Sequence, residues 1–562
     1  ANTVGKLLEG KTPEGAAELK LVDPACGSGS FLLGAYQRLL DWHVQWYTEN
    51  DPQKWAKGRN PALAAASGGG WKLTTAKKKE ILVNNIHGVD IDAQAVEVTK
   101  LSLLLKVLEE ESGQLSLGLE RVLPDLGRNI QCGNSLIGED YFEGQLAVDE
   151  KERERVNPFE WKRAFPAVFA KGGFDAVIGN PPYGADFSIR EREYLKTFDV
   201  GSTDSAALMM IRSLQSTKPL GLNGFIVPKP FLYSSVWEQT RNIILNNLLS
   251  VCDVNRAWKE VLLEQVIYVL KKGINQNNYK SYKNTLHSFE LISEVDKNDC
   301  SFFGFILNDL TNNEIHIAKK VWRNSRRFNE LISNTRGGMF QKHLISETSD
   351  LKVLGGKQIS RYSFTGIKGF CKIKAIKEFP NSIIQNESLL FQNIIAHIEN
   401  PVPHVKLIGT ISSEMNKQEY VILDTVNQLI TNSEYSSKFL LGLLLSKFTN
   451  WYTYRFVFAK AIRTMHFDGP TTNKIPIIKL NMSNKKEVSQ HDRMVALVER
   501  MLDLHKRTAA PLAALGGAKI ATTPQEQERL ARDIASTDRE IDKLVYELYG
   551  LSAEEIKIVE GG

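Results

Sequence analysis

The sequence predicts an α/β protein: a doubly wound domain with a mainly parallel sheet, then a mixed α/β domain, then C-terminal helices. From Leu19 onward, short apolar runs alternate with stretches of helical period, which is the pattern of repeated βα units. After Lys272 this alternation stops, and segment 273–284 is rich in Asn, Tyr and Lys. Segments 491–504 and 524–548 have helical apolar spacing, which predicts a terminal helical hairpin.

Length and composition restrict the class of protein. A chain of 562 residues is long enough for three or four compact units, and 42% hydrophobic with 24% charged residues is typical of globular domains. The longest apolar runs, such as 439–445, are too short to span a bilayer. The five cysteines are scattered without CxxC spacing, which predicts a cytoplasmic protein without a metal site.

The first domain can be divided into elements along the chain. Its predicted strands are 20–22, 86–89, 130–132, 176–178, 224–227 and 266–270. Helices are expected at 31–46 and 93–108. Insertion 61–79, with its Ser-Gly-Gly-Gly run, is expected to be a mobile loop, and the charged insertion 149–163 a solvated helix.

The second domain has shorter elements. Segments 402–410 and 419–423 are predicted strands, and 438–448 is a predicted helix. The predicted division of the chain is 1–290, 291–485 and 486–562.

A glycine-containing loop follows the first predicted strand and opens a helix. It reads Asp-Pro-Ala-Cys-Gly-Ser-Gly-Ser-Phe over 23–31. Gly27 and Gly29 permit a tight turn and close approach of a ligand, and the helix start offers free N–H groups. The acid Asp23 suits a cationic ligand better than a pyrophosphate, and the GxGxxG pattern of dinucleotide sites is absent. An ordinary strand-to-helix turn remains an equal alternative.

Two acids end the next predicted strand, in Gly-Val-Asp-Ile-Asp over 88–92. A carboxylate at this position can accept both hydroxyls of a ribose, and Asp90, the first of the two, is the better candidate. Asp92 is more simply explained as a cap of the helix that begins near Ala93. For Asp90 a cap or turn role is an alternative of similar weight.

The most specific string is Gly-Asn-Pro-Pro-Tyr at 179–183, directly after an apolar strand. Two prolines stiffen the backbone and remove two N–H groups, so carbonyl acceptors are presented without competing donors. The side-chain oxygen of Asn180 and the carbonyl of Pro181 could accept both hydrogens of an exocyclic amino group, while Pro182 holds the turn and Tyr183 stacks on a planar substrate. Such a site acts by positioning and electrostatics and needs no metal.

Two further strings are GNSLI at 133–137 and GFIVPKPFL at 224–232. Together with the three motifs above, they resemble those of the gamma-class adenine-N6 DNA methyltransferases, especially the methyltransferase and specificity portion of type IIG restriction-modification enzymes. The resemblance covers nearly the whole chain. It implies a Rossmann-like S-adenosylmethionine-dependent methyltransferase domain, a flipped adenine in double-stranded DNA as substrate, and a target-recognition domain downstream. The cofactor-binding residues that it implies are Asp23, Ala25, Cys26, Gly27, Gly29, Phe31, Asp90, Ile91, Asn134, Ser135 and Asn180. Asn134 replaces the acid that the family usually has.

The resemblance also implies a second aromatic residue that packs, with Tyr183, against the flipped base. Trp237 has about the required spacing after strand 224–227, and Tyr233 and Phe231 are rivals. A core role for Trp237 is an equal alternative. The family's upstream segment, which completes the methionine pocket, would lie before Ala1, so we expect the chain to be a fragment or to lack part of its cofactor site.

Beyond residue 330 the landmarks resemble target-recognition domains. Candidate DNA-contacting residues are Arg336, Lys357, Arg361, Arg455, Lys460 and Arg463, each of which is individually more simply a solvated charge. A nuclease would need an acidic pair with Glu-x-Lys, and the nearest grouping, Glu294, Asp296 and Lys297, is better explained as a surface turn. Any cutting domain is therefore expected outside this sequence.

Three functions remain open from the sequence. The first is DNA adenine methylation, the second a glutamine methyltransferase of translation factors, which also uses Asn-Pro-Pro-Tyr, and the third a non-catalytic DNA-recognition scaffold. The long downstream region favours the first over the second. The sequence does not fix the oligomeric state, and a monomer is compatible with it.

Overall fold

The computed structural model divides the chain into two compact units, Ala1–Asn308 and Asp309–Gly562. It describes residues 3–66, 68–109, 124–144, 149–202, 204–255, 263–285, 288–385, 387–400, 403–414, 419–432, 435–462, 465–509 and 523–561. The boundary predicted at 290 falls within the last strand of the first unit. Residues 291–308 therefore belong to the first unit rather than to the second.

A nine-stranded mixed sheet forms the centre of the first unit, in the order β11-β10-β8-β9-β7-β6-β1-β4-β5. The unit's strands are β1 (Leu21–Asp23), β2 (Leu63–Ala65), β3 (Trp71–Leu73), β4 (Ile86–Asp90), β5 (Ile130–Cys132), β6 (Phe174–Gly179), β7 (Thr217–Pro228), β8 (Leu248–Asn255), β9 (Gln265–Lys271), β10 (Asn278–Asn284) and β11 (Phe289–Asp296). The five strands from β5 to β7 in this order are parallel, and β9 is antiparallel to both its neighbours. The predicted doubly wound core is confirmed.

Two predictions about strands were wrong. Insertion 61–79 is not a plain loop, because β2 and β3 pair as a hairpin and a helix begins at Thr75. The sheet also does not stop at Lys271, since β10 pairs parallel with β8 and antiparallel with β11. Buried Tyr279 and Ser281 alternate with more exposed residues along β10, which is the pattern of a strand with one buried face, although the segment is rich in Asn, Tyr and Lys.

The helices of the first unit place the loops of the site. They are α1 (Val4–Leu8), α2 (Pro13–Ala17), α3 (Ser30–Glu49), α4 (Pro52–Trp55), α5 (Thr75–Asn85), α6 (Ala93–Leu108), α7 (Glu150–Val156), α8 (Trp161–Ala164), α9 (Pro166–Ala170), α10 (Ile189–Leu195), α11 (Ser205–Ser216), α12 (Glu238–Asn247) and α13 (Lys297–Phe303). Helices α3, α5 and α6 share one apolar core with β1, β4 and β5. The helices predicted at 31–46 and 93–108 are confirmed, and α7 lies in the predicted charged insertion.

Short strands in several small sheets build the second unit, as the predicted mixed α/β character requires. They are β12 (Ser325–Arg327), β13 (Ile332–Arg336), β14 (Leu351–Leu354), β15 (Ile359–Ser360), β16 (Ser363–Phe364), β17 (Gly369–Cys371), β18 (Leu389–Gln392), β19 (Ala396–Ile398), β20 (His404–Lys406), β21 (Gly409–Ile411), β22 (Tyr420–Ile422), β23 (Val426–Thr431) and β24 (Pro476–Ile478). The largest sheet has the order β13-β23-β18-β21, and β14 lies between β17 and β22. The strand predicted at 402–410 is split into β20 and β21.

Two long helices and a short third helix lie at the end of the second unit. Its helices are α14 (Asn312–Trp322), α15 (Phe328–Leu331), α16 (Ser437–Leu445), α17 (Lys447–Tyr452), α18 (Gly469–Thr472), α19 (Lys485–Ala509), α20 (Pro524–Tyr549) and α21 (Ala553–Glu560). The ion pairs Arg493–Glu547 and Arg500–Glu540 show that α19 and α20 run antiparallel, which confirms the predicted hairpin. In the described part of the chain, no helix combines the length and apolarity needed to cross a bilayer.

Candidate active site

The loop after β1 is held in place by main-chain hydrogen bonds and by two glycines. Cys26 N–H donates to Val89 O of β4 (3.0 Å), and Gly29 N–H donates to Cys26 O (2.8 Å). Gly29 has φ 83°, and a Cβ there would lie 2.9 Å from Thr99 Oγ1. Because that hydroxyl donates to Gly27 O (2.7 Å), a side chain at Gly29 would displace the contact that fixes the loop on α6.

Asp90, at the end of β4, is tied to the same loop. Its Oδ2 accepts the Gly27 N–H (2.7 Å) and its Oδ1 accepts the Asp92 N–H (3.0 Å). Asp92 in turn accepts from Gln94 N–H (2.9 Å) and is the N-cap of α6, which confirms the cap role expected for it. Each oxygen of Asp90 keeps a further lone pair for a ligand. The neighbouring apolar side chain of Ile91 is 51% exposed and is therefore accessible to a ligand at this loop.

Asp23, at the end of β1, is almost fully buried, with 2% of its surface exposed. Burial raises its pKa to about 7; an Ala25 N–H bond to Oδ1 (3.0 Å) opposes the shift, and the charge of Asp90 adds to it. A Cβ on Gly179 would lie 2.7 Å from Asp23 Oδ1. Because Gly179 has no side chain, the end of β6, which leads into Asn-Pro-Pro-Tyr, can pack directly against the carboxylate of Asp23.

The third loop, after β5, is bound to the first. Ser135 Oγ donates to the Pro24 carbonyl, and Trp161 Nε1 donates to Ser135 O (3.1 Å). Asn134 Oδ1 accepts the Leu136 N–H (3.0 Å) within its own turn. The amide oxygen of Asn134 thus has a structural partner, and the amide nitrogen is the group left for a ligand.

The Asn-Pro-Pro-Tyr corner at 180–183 leaves the sheet at the end of β6. Tyr183 Oη lies within hydrogen-bond distance of two acceptors, Asn180 Oδ1 and Ile226 O (3.0 Å), and it has a single proton to donate. Burial raises the pKa of Tyr183 to about 12, so the phenol is neutral at physiological pH. In the described residues no hydrogen bond reaches the Pro181 carbonyl, whereas the Pro182 carbonyl accepts from Ser205 Oγ (2.7 Å).

The corner and the first loop meet at Ile226 of β7. Phe31, at the start of α3, packs on the apolar cluster that contains Ile226. Tyr183 bonds the carbonyl of the same residue. Three of the predicted segments, at 23–31, 88–92 and 180–183, therefore converge at the carboxyl ends of β1, β4 and β6, where ligands bind in open α/β sheets.

Trp237 does not lie on an open surface. It is 6% exposed and its ring packs edge-on against buried Phe231 (5.8 Å between centroids). The prediction of a base-stacking Trp237 is therefore corrected in favour of its core alternative, and Phe231 is excluded for the same reason. Tyr233 is the partly exposed aromatic of this segment.

Sequence reasoning missed a buried polar group beside Tyr183. Gln265, 1% exposed at the start of β9, points its Nε2 at Tyr183 Oη (3.5 Å), and its Oε1 is buried without a hydrogen-bond partner in the described structure.

Lys229 is also buried and pairs with Asp253 (2.6 Å) and Glu264 (3.4 Å). A lysine after an apolar strand is normally solvated, so only the tertiary structure identifies this group.

The candidate DNA-contacting residues of the second unit mostly have intramolecular partners. Arg361 pairs with Asp538, Arg455 with Glu314 (2.5 Å), Lys460 with Asp309 (3.4 Å) and Arg336 with Asp424 (3.4 Å). These four are not the free cations that the prediction assumed, because segments distant in the chain neutralise them. Lys357 is exposed, and Arg463 lies outside the described residues.

The sheet order and the convergent loops define the class of the first unit: it has the fold of the methyltransferases. Residues 84–256 match the Eco57I restriction-modification methylase family. The matched region contains Asp90 and the Asn-Pro-Pro-Tyr corner. In the described residues no three metal-ligating side chains are grouped.

Individual proteins extend the comparison. The chain is 28% identical over 292 residues to the type II restriction enzyme and methyltransferase RM.Eco57I of Escherichia coli, covering 50% of this chain and 27% of that protein. It is 30% identical over 175 residues to the adenine-specific methyltransferase PglX of Streptomyces coelicolor, covering 30% and 12%. The matched regions thus span about a quarter or less of these relatives.

A solved structure with a similar fold aligns with the whole chain. It is that of the type IIL restriction-modification enzyme MmeI in complex with DNA, with a TM-score of 0.61 and 12% identity, covering 100% of this chain and 74% of that one. At this identity the likeness concerns the fold.

Proposed function

We propose that the chain is a site-specific DNA methyltransferase that transfers a methyl group from S-adenosyl-L-methionine to the N6 amino group of a flipped adenine. The observation that carries the proposal is the packing of Gly179 on Asp23, which puts the Asn-Pro-Pro-Tyr corner beside an acidic loop. The family match over 84–256 supports the same reading. We infer that the enzyme works in a type IIG-like restriction-modification system, with target recognition by the second unit.

The residues around the site fit this cofactor. Segments 23–31, 88–92, 133–137 and 180–183 contain three carboxylates, two of them at strand ends, and no Lys or Arg. Such a set is unsuited to phosphates but suits a positively charged sulfonium and a ribose. Asp23 would supply the negative charge and Asp90 the acceptors for the ribose hydroxyls. Bound there, S-adenosylmethionine supplies an electrophilic methyl group.

The corner would prepare the adenine amino group. Asn180 Oδ1 and the Pro181 carbonyl accept its two hydrogens, so the nitrogen becomes tetrahedral and its lone pair is directed away from the ring. Tyr183 stacks on the base while its phenol proton turns from Asn180 to Ile226 O, which frees the amide oxygen. Both oxygens then stabilise the positive charge that develops on nitrogen, which is discharged when one of the two amino protons is released to solvent. The rate enhancement comes from positioning and electrostatics.

The test is to incubate the protein with S-adenosylmethionine carrying a labelled methyl group and a mixed-sequence duplex, and to identify the modified nucleoside by mass spectrometry. We expect N6-methyladenine, lost in Asn180→Ala and retained in Asn60→Ala, a matched change at an exposed asparagine of the same unit. Label confined to cytosine would overturn the proposal. Label on protein would instead support a glutamine methyltransferase.

A further inference from the structure

A basic groove lies in the second unit between segments 339–345 and 372–379. Its volume is about 650 Å³. Four exposed lysines line it, and we call it the lysine groove after them: Lys342, Lys372, Lys374 and Lys377. Neither segment belongs to the residues that the sequence motifs singled out.

The walls of the groove are fixed before any ligand arrives. Phe340 and Ile376, one from each wall, are buried in the same apolar cluster. The ring of Phe340 also packs on that of Phe379 (6.0 Å between centroids). Ile345 and Phe370 exchange two main-chain hydrogen bonds of 2.9 Å each. A partner therefore meets a preorganised surface and loses little affinity to ordering of these segments.

The positive charge of the lysine groove is not neutralised by ion pairs with acids in the described part of the chain. No ion pair involves any of its four lysines in the described part of the chain, and Glu378 is the one acid among the described lining residues. Arg361, Arg455 and Lys460 of the same unit all have carboxylate partners. The lysine groove is consequently a positive patch suited to a polyanion.

Two exposed apolar side chains belong to the same segments. Met339 lines the groove and is 71% exposed, and Ile373, which lies between Lys372 and Lys374 in the chain, is 57% exposed. Large exposed apolar groups beside lysines do not contribute to solubility. Duplex DNA can contact both kinds of side chain, because its phosphates bind lysines and its thymine methyl groups and base steps accept apolar contacts. The combination favours duplex DNA over an acidic protein segment.

We propose that the lysine groove is a duplex-DNA contact of the second unit, with the lysines on phosphates and Met339 and Ile373 against the base edges. This rests on the proposed function, which requires a surface that holds the duplex. Three changes, Lys372→Gln, Lys374→Gln and Lys377→Gln, remove three of its charges together. The matched control removes three exposed lysines elsewhere in the unit: Lys479, Lys485 and Lys486.

The measurement is the dissociation constant for a fluorescent 40-base-pair mixed-sequence duplex at four salt concentrations. Each phosphate contact contributes about 0.9 to the slope of log affinity against log salt, so the groove variant should lose about 2.7 from that slope and bind at least about tenfold more weakly near 0.1 M salt. The control variant should keep the slope of the natural sequence. Thermal unfolding should be unchanged in both, since all six lysines are exposed.

Two further outcomes separate the claims. If the natural sequence methylates adenine but the groove variant binds DNA like the control, the lysine groove is not a DNA contact and the proposed function stands. If the natural sequence neither binds duplex nor methylates adenine, both fail. In a working enzyme the groove variant should raise the KM for DNA with kcat unchanged at saturation, which separates docking from chemistry.

Discussion

Replacing Asp23 by Asn should change the stability of the first unit relative to the natural sequence in a pH-dependent way, increasingly in favour of the variant as the pH rises. The carboxyl group of Asp23 has its pKa raised from 3.8 to about 7, chiefly because burial removes water from the charged form. In the unfolded chain the pKa returns to its ordinary value. Ionisation therefore costs more in the folded state than in the unfolded one.

The sign follows from the direction of the shift. Below pH 4 the group is protonated in both states and carries no penalty. Between pH 4 and 7 the unfolded chain releases the proton first, so the free energy of unfolding falls as the pH rises, by about 4 kcal/mol in total. From pH 5 to pH 8 the loss is about 2–3 kcal/mol. Asn does not titrate, so Asp23→Asn avoids this loss.

The assay is hydrogen exchange of peptides from β1 and β4 during urea unfolding at pH 5 and pH 8, because it reports the stability of the first unit alone. Any fixed cost of burying the amide of Asn is the same at both pH values and cancels in the comparison. The variant's advantage should grow by about 2–3 kcal/mol between the two conditions. A difference that stays constant from pH 5 to pH 8 would refute the assigned pKa. Under the proposed function the same variant should bind S-adenosylmethionine more weakly at pH 8.

Three further substitutions test single residues. Tyr183→Ala should lower turnover by about 10- to 100-fold, the cost of one lost stacking contact, with a smaller effect on DNA affinity; equal losses would contradict stacking. Lys229→Met removes the ammonium group that pairs with the buried carboxylates of Asp253 and Glu264 and should destabilise the protein by about 3–5 kcal/mol in thermal unfolding; an unchanged Tm would mean that these ion pairs are not buried in solution. Arg361→Gln removes the partner of Asp538 and should lower Tm while DNA affinity stays within about twofold. Weaker DNA binding at unchanged Tm would show that Arg361 does contact DNA.

The loops of the site were predictable because each is encoded locally. Asp23 and Asp90 each follow a short apolar run, and the carboxyl ends of neighbouring parallel strands meet at one edge of a sheet. Knowing that both strands belong to one βα series was therefore enough to bring the acids together, although only the structure shows that Gly179 packs so closely on Asp23 that a Cβ there would lie 2.7 Å from Oδ1. Gln265 was not predictable, because it reaches Tyr183 only through the antiparallel insertion of β9 beside β7.

The prediction of DNA-contacting cations failed for a different physical reason. Whether a cation is free for a phosphate depends on the acids that fold around it, and those acids come from remote parts of the chain: Glu314 reaches Arg455 from 141 residues away, and Asp538 reaches Arg361 from 177. A sequence motif suggests that such an arginine contacts DNA, but it does not reveal the acid that pairs with the arginine in the fold. Lys372 and Lys374 lie in no motif, yet in the described structure they keep their charge unpaired beside an exposed isoleucine. An unneutralised charge is a property of the folded neighbourhood, so the cations of this unit that are free for a phosphate are defined by the pairing of charges in the structure and not by sequence landmarks.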